Sequence, residues 1–203
     1  MVAMMRELSN RAFIYDVFSD IFYYKLDDES YKEMIEKIKI AKDVFDPFSE
    51  VFNVLNLRPK KDYLIEYTTL FLTGLGIKPL VPVESKRLYA LMGEKIAMFK
   101  LNDIIRFYKS YKLRPKIGDF FQPEVDHVSS IMAFMSYLVS KEGEEGQRVI
   151  IDEKNFFISH IYGWIPDWAN DVIADERSEI FKPICKALNE WIYIEKDNLG
   201  VTN

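Results

Sequence analysis

The sequence is poor in the side chains on which catalytic and metal sites are most often built. Its 203 residues include two histidines and one cysteine, which excludes a disulfide within the chain and a cysteine-cluster metal site. No apolar run reaches the roughly 20 residues that a transmembrane helix needs. The opening MVAMMRELSNRAF is interrupted by Arg and Glu, unlike a secretory signal or a transit peptide. We therefore expect a cytoplasmic protein without stable membrane insertion.

The composition predicts a folded globular protein with a mild excess of acidic groups. Hydrophobic residues make up 49% of the chain and aromatic residues 15%, which suffices for a core that needs no disulfide or metal. The formal net charge is −5, whereas proteins that bind nucleic acid usually carry a basic face. We expect no nucleic-acid partner, and this charge is compatible with a cationic one.

Apolar residues recur with the spacing of amphipathic helices through most of the chain, and no alternating strand pattern of useful length is present. This pattern predicts an all-α protein of about nine to eleven helices. The predicted helices include segments 10–23, 31–44, 61–72, 84–99 and 102–111. The next helix is expected to open with Pro123 and to run to Val139, followed by a solvated loop, KEGEEGQ, at 141–147.

Segment 112–122, KLRPKIGDFFQ, contains proline and glycine and shows no helical stripe. We predict a hinge here, within a single helical domain that spans residues 1–203. The hinge would divide this domain into an N-terminal subdomain, 1–111, and a C-terminal subdomain, 123–195.

The string PEVDH at 123–127 is the most informative candidate for a site. Glu124 and His127 have the Glu-x-x-His spacing of di-iron bundles, which need a second such pair. The other histidine, His160, follows Phe157 at that spacing, so we expect no metal. Two interpretations stay open. Either His127 is partly buried at a helix start where the dipole favours Glu124 and Asp126, or the acids rim an apolar groove for a basic and apolar peptide.

Signatures of enzymatic chemistry are also missing. The sequence contains no Gly-x-Ser-x-Gly elbow, and GLGIK at 74–78 lacks the spacing and the Gly-Lys-Ser/Thr ending of a phosphate-binding loop. Cys185 lies within a predicted helix between apolar neighbours, where an inert core thiol is expected. We predict no catalytic activity and no cofactor.

Four strings occur in a characteristic order along the chain: EYTTLF at 66–71 with a glycine turn at 74–76, PVES at 82–85, PEVDH at 123–127, and FISHIYGWIP at 157–166. Their order and spacing resemble the TorD/DmsD/NarJ family of redox-enzyme maturation chaperones, over about residues 10–195. The sequence departs from that pattern in one extra residue between Pro123 and Asp126. It also departs in the string VSS at 128–130, where the family has acids, and in Pro183, which lies within the last predicted helix.

The resemblance implies a TorD-like, all-helical cytoplasmic chaperone. Its partner would be the catalytic subunit of a molybdopterin oxidoreductase, or the twin-arginine signal peptide of that subunit, held while the cofactor is inserted. The expected assembly is a monomer or a homodimer swapped at the hinge. Alternatives are a helical scaffold that joins subunits without recognising a signal peptide, and a nucleotide-binding regulatory protein. The residues expected to bind the peptide are Tyr67, Phe71, Glu84, Ser85, Glu124, Asp126, His127 and Trp164.

Overall fold

The computed structural model describes residues 2–114 and 121–202, with side chains described from Leu8 onward. Its helices are α1 (Val2–Phe22), α2 (Asp28–Ala41), α3 (Phe48–Asn56), α4 (Lys60–Tyr67), α5 (Glu84–Met92), α6 (Glu94–Ser110), α7 (Val128–Glu145), α8 (Gln147–Phe156), α9 (Ile165–Ala174) and α10 (Phe181–Asn198). Two π-helical segments, Thr68–Leu72 and Phe157–Tyr162, continue α4 and α8. The predicted all-α class is confirmed, since β pairing in the described residues is limited to an isolated bridge. None of the helices in these ranges has an apolar stretch of the length that a membrane crossing requires.

The helix predicted at 84–99 ends earlier, because the chain turns at Gly93. This residue has φ 88° and ψ 175°, a conformation that is strained for any residue with a Cβ. Asn102 and Asp103, with which the next helix was predicted to begin, lie instead in the middle of α6. The predicted break between residues 99 and 102 was wrong, because the chain turns at Gly93 instead.

The helix predicted to open with Pro123 begins at Val128 instead. Its N-cap residue is His127, in extended conformation, because the backbone at 126–128 pairs with residues 82–84 and is unavailable to a helix. At its other end α7 continues to Glu145, so the predicted loop at 141–147 is wrong. Lys141 pairs with Glu144 along this last part of the helix, and Gly146, at φ 66°, ends it.

The described chain forms two compact units, the first of which comprises Met1–Tyr23 and Pro82–Trp164. In it α1 packs along α7, α7 packs against α8, and α5 pairs with α6. Phe18 of α1 and Met135 of α7 are among its fully buried side chains, each worth about 1.5–3 kcal/mol relative to exposure. The α1–α7 contact is also polar, since Ser19 Oγ donates to the carbonyl oxygen of Ser129 at 2.9 Å.

The second unit comprises Tyr24–Val81 and Ile165–Asn203. Here α10 packs against α9 and α3, and α2 packs against α3. Glu66, which is 7% exposed, accepts hydrogen bonds from the backbone N–H groups of Ile180 and Phe181, both at 2.8 Å to Oε1, at the start of α10. Pro183 lies in the first turn of that helix, where a missing N–H breaks no helical bond. It therefore does not interrupt the helix.

This grouping differs from the contiguous halves expected from the sequence. Each unit is built from two separate segments, and the chain passes between them after Tyr23, Val81 and Trp164. The predicted hinge at 112–122 includes residues 115–120, which lie outside the described residues. The hinge therefore stays a prediction.

Candidate functional site

Two segments far apart in the sequence meet where α5 and α7 begin. An antiparallel bridge joins Val83 to His127. The backbone N–H of Val128 donates to the oxygen of Pro82 at 2.9 Å, and that of Glu84 donates to the oxygen of Asp126 at 3.1 Å. Pro82 disfavours a helical conformation in the residue before it, which leaves this crossing extended and able to pair. We call residues 82–86 and 124–128 the α5–α7 junction.

Asp126 caps α5 from the other side of the junction. Its Oδ2 accepts a hydrogen bond from the backbone N–H of Ser85 at 2.8 Å, and the residue is 1% exposed. The N-cap residue of α5, Val83, makes no side-chain cap bond of its own. Asp126 thus supplies both the missing acceptor and a negative charge at the positive end of the helix dipole.

His127 performs the corresponding role for α7. Its Nδ1 accepts a hydrogen bond from the backbone N–H of Ser129 at 3.0 Å, so this nitrogen carries no proton. Burial lowers the pKa of His127 to about 4, although nearby Glu124 opposes the shift. The ring is therefore neutral near pH 7. This geometry agrees with the interpretation of His127 as a buried residue at a helix start.

His160 links two carboxylates in the interior of the same unit. Its Nδ1 lies 2.8 Å from Glu84 Oε2 and its Nε2 lies 3.1 Å from Asp103 Oδ2. Burial raises the pKa of Glu84 above its usual value, and the hydrogen bond with His160 only partly opposes this. The pKa of Asp103 is lowered, because hydrogen bonds from Arg106 and His160 outweigh the effect of burial. The cluster connects the start of α5, the middle of α6 and the segment after α8.

Trp164 is held against the same cluster. Its Nε1 donates to the carbonyl oxygen of His160 at 2.7 Å, and the residue is 3% exposed. This carbonyl belongs to the π-helical segment Phe157–Tyr162, and π turns are frequent at functional sites. Trp164 is therefore a buried residue whose indole is hydrogen-bonded to the segment that carries His160.

Glu124 is the predicted acid that reaches solvent. It forms an ion pair with Lys86, and the two side chains are 46% and 55% exposed. Burial alone would raise the pKa of Glu124, but the hydrogen bond from Lys86 lowers it below the usual value. Glu84 and Asp126, by contrast, are each 1% exposed. Of the three predicted acids, then, only Glu124 presents its charge to solvent at the junction.

Tyr67 and Phe71 lie in the second unit, in an aromatic core. The ring centroids of Tyr67 and Phe71 are 5.1 Å apart, and that of Phe71 is 4.8 Å from Phe181. Both residues are 0% exposed. The structure therefore gathers Glu84, Ser85, Glu124, Asp126, His127 and Trp164 in the first unit and Tyr67 and Phe71 in the second.

The partners of the buried acids were not predicted from the sequence. The link of His160 to Glu84 and Asp103 was not predicted. The capping role of Glu66 was missed as well. The available signal was the same for both residues: each is a polar side chain inside a strongly apolar helical stretch, and such groups need a partner when buried.

Comparison with known protein families identifies the family of this chain. Residues 38–170 match the family model described as nitrate reductase delta subunit. The chain belongs to this family. Membership in the delta-subunit family confirms the family resemblance that the four strings predicted. No curated protein sequence matches the chain.

A solved structure shows that the fold extends beyond the matched segment. A protein of Archaeoglobus fulgidus described as a redox enzyme maturation protein has a crystal structure that is similar to this chain, with a TM-score of 0.59 at 20% identity. The similarity covers 91% of this chain and 94% of the other. At this level of identity the likeness concerns the fold.

Several polar groups of the described residues are already paired or buried within the protein. In the ranges 2–114 and 121–202, no group of three or more His, Cys, Asp or Glu is arranged to hold a metal ion. The buried acids of the junction already accept hydrogen bonds within the protein. Cys185 is buried in α10, where burial raises the pKa of its thiol and disfavours the reactive thiolate. The junction can still offer the charge of Glu124 on a rigid frame.

Proposed function

We propose that this protein is a cytoplasmic chaperone for a redox enzyme. It binds the twin-arginine signal peptide, or the N-terminal region, of a molybdopterin oxidoreductase catalytic subunit and assists cofactor insertion before export. The observation that carries the proposal is the family match, because residues 38–170 include all the predicted peptide-binding residues. The description of the similar Archaeoglobus protein as a redox enzyme maturation protein supports it.

In this proposal Glu124 recognises an arginine of the peptide. A guanidinium binds a carboxylate through two parallel hydrogen bonds, which an ammonium cannot do. Lys86 and Glu124 are both about half exposed, and an ion pair of this kind contributes only about 0–1 kcal/mol. An incoming arginine can therefore displace Lys86 from Glu124 at little cost.

The buried residues of the junction have a supporting role. Asp126 and His127 fix the starts of α5 and α7, and Glu84 is held by His160. These contacts hold together the two backbone segments of the junction, one of which contains Glu124. Because a bidentate pair depends on orientation, a rigid frame favours specific recognition.

The experiment is a calorimetric titration of the full chain with a synthetic twin-arginine peptide and with its Arg→Gln version. We expect the Glu124→Gln variant to bind the twin-arginine peptide about tenfold or more weakly, since a charged hydrogen bond contributes about 1.5–3 kcal/mol. Glu36→Gln is the matched control, because Glu36 also forms an exposed ion pair, with Lys39, in the second unit. Its affinity is expected to equal that of the parent protein.

Equal affinity for the arginine and glutamine peptides would refute charge recognition. Binding of both peptides with no effect of Glu124→Gln would place the recognition elsewhere. No binding of either peptide, together with retained association with the intact client subunit, would favour the scaffold that only joins subunits.

A further inference from the structure

A groove between α5 and α6 leads to the α5–α7 junction. It is lined by seven residues of the first unit: Ser85, Lys86 and Tyr89 of α5, and Glu94, Ala97, Met98 and Leu101 of α6. We call it the α5–α6 groove. Its volume is about 340 Å³, at the lower end of the range for ligand pockets, about 300–1,000 Å³. A few apolar side chains of a ligand are enough to fill this space.

The apolar lining of the groove still has surface to bury. The four lining residues of α6 stand at i, i+3, i+4 and i+7, the spacing of one helical face. Ala97 on this face is 3% exposed, whereas Met98 is 47% exposed and Tyr89, across the groove on α5, is 61% exposed. An apolar side chain placed between Tyr89 and Met98 would therefore remove apolar area of both from water, which is favourable.

The charges along the groove select a cationic ligand. At the junction end, Lys86 is paired with Glu124. At the other end, the exposed Glu94 begins α6 directly after the turn at Gly93. Within the described ranges the Glu94 side chain has no hydrogen bond or ion pair, and Lys95, its neighbour in the sequence, does not line the groove. Of the two charged lining residues, the basic one is thus already neutralised and the acidic one is not, which favours a ligand of positive charge.

The length of α5 sets the spacing of the groups that such a ligand needs. Lys86 and Gly93 are seven residues apart, about 10 Å along a helix. An extended peptide covers this distance in about three to four residues, and its residues i, i+2 and i+4 point to the same side. In a signal peptide the apolar residues follow the basic ones. With an arginine at Glu124, the groove is therefore reached by the side chain two residues after it, and Glu94 by the side chain four residues after it.

We propose that the α5–α6 groove binds the residues that follow the arginine held by Glu124. An apolar side chain lies between Tyr89 and Met98, and a second basic side chain pairs with Glu94. This inference rests on the proposed function, since it takes the arginine at Glu124 as given and extends the site along α5 and α6. It assigns to Glu94 the recognition of a second cation, at a fixed distance from the first.

The test is a calorimetric titration of the full chain with a ten-residue twin-arginine peptide that has leucine two residues, and lysine four residues, after the second arginine. A comparison peptide has glutamine in place of the lysine. Glu94→Gln is expected to weaken binding of the lysine peptide about two- to fivefold, the range for an exposed ion pair, and to leave binding of the glutamine peptide unchanged. Glu50→Gln is the matched control, because Glu50 is likewise an exposed acid in the first turn of a helix, α3, in the second unit. It is expected to bind both peptides like the parent protein.

A second pair of variants tests the apolar part of the groove. Met98→Ser is expected to weaken binding of the leucine-containing peptide about threefold or more, since it removes apolar area that the ligand covers. It is expected to leave unchanged the binding of a peptide with serine in place of the leucine. Phe99→Ser is the control, because Phe99 is 67% exposed and does not line the groove, and it is expected to bind like the parent protein.

The groove and the proposed function fail in different ways. Weakened binding in Glu124→Gln, together with full affinity in Glu94→Gln and Met98→Ser, would overturn the groove and leave recognition of the arginine at Glu124 intact. No binding of any of these peptides would overturn both. A concentration-dependent dimer of the free chain that Met98→Ser abolishes would assign the groove to a second copy instead.

Discussion

Replacing His160 by alanine is expected to lower the free energy of unfolding by about 3–5 kcal/mol, the cost of leaving a buried charge without its partner. The histidine lies 2.8 Å from Glu84 Oε2, and Glu84 Oε1 has no hydrogen-bond partner within the described residues. After the substitution both oxygens of a carboxylate that is 1% exposed would be unpaired. Urea denaturation followed by circular dichroism measures the loss. With a slope of at most about 3 kcal/mol per molar urea, the midpoint falls by about 1 M or more.

A double-mutant cycle isolates the Glu84–His160 interaction. Glu84→Gln/His160→Ala is expected to lose less than the two single variants together, with a coupling energy of about 0.5–3 kcal/mol. The deficit of His160→Ala is also expected to shrink from pH 8 to pH 5. Without the histidine the pKa of Glu84 rises further, so the group takes up a proton and becomes less costly to bury. A loss below about 1 kcal/mol for His160→Ala, or additive single losses, would refute this account.

Asp126→Ala is expected to lower stability by about 1–2 kcal/mol, since it removes the acceptor for Ser85 N–H, and to lower the melting temperature by about 2–8 °C. An unchanged melting temperature with lost peptide affinity would instead indicate that Asp126 contacts the peptide directly. Burial, together with Glu142, raises the pKa of Glu153, although Arg11 opposes this. Because the folded-state pKa is the higher one, Glu153 contributes stability at low pH that is lost as the pH rises. The stability of the parent protein minus that of Glu153→Gln should therefore fall between pH 5 and pH 8, and a constant difference would contradict the burial argument.

Local sequence patterns predicted the helices well and their ends less well. Segment 10–23 lies in α1, and segment 61–72 lies in α4 and its π-helical continuation, because their many apolar residues recur with helical spacing. The missed ends have physical causes. Gly93 turns the chain through a backbone conformation that no neighbouring residue signals. α7 begins late because residues 126–128 pair with a segment about forty residues earlier in the sequence, which no local pattern can register.

For the candidate site, too, some features could be predicted from the sequence and others could not. The acids of the junction could be found from the sequence, since Glu84, Asp126 and Glu124 stand beside helix starts. Their burial could not, because it depends on the bridge between Val83 and His127. The three acids were expected to share one function. In the structure Glu84 and Asp126 are buried, whereas Glu124 is exposed.

We propose that the protein assists cofactor insertion into a molybdopterin oxidoreductase. The most direct measurement is the molybdenum content of the purified client subunit from a host strain that lacks this chain. A strain complemented with the parent sequence and one complemented with Glu124→Gln are measured beside it. We expect a client largely free of molybdenum without the chain, full occupancy with the parent sequence, and reduced occupancy with Glu124→Gln. Full occupancy in the strain that lacks the chain would contradict it.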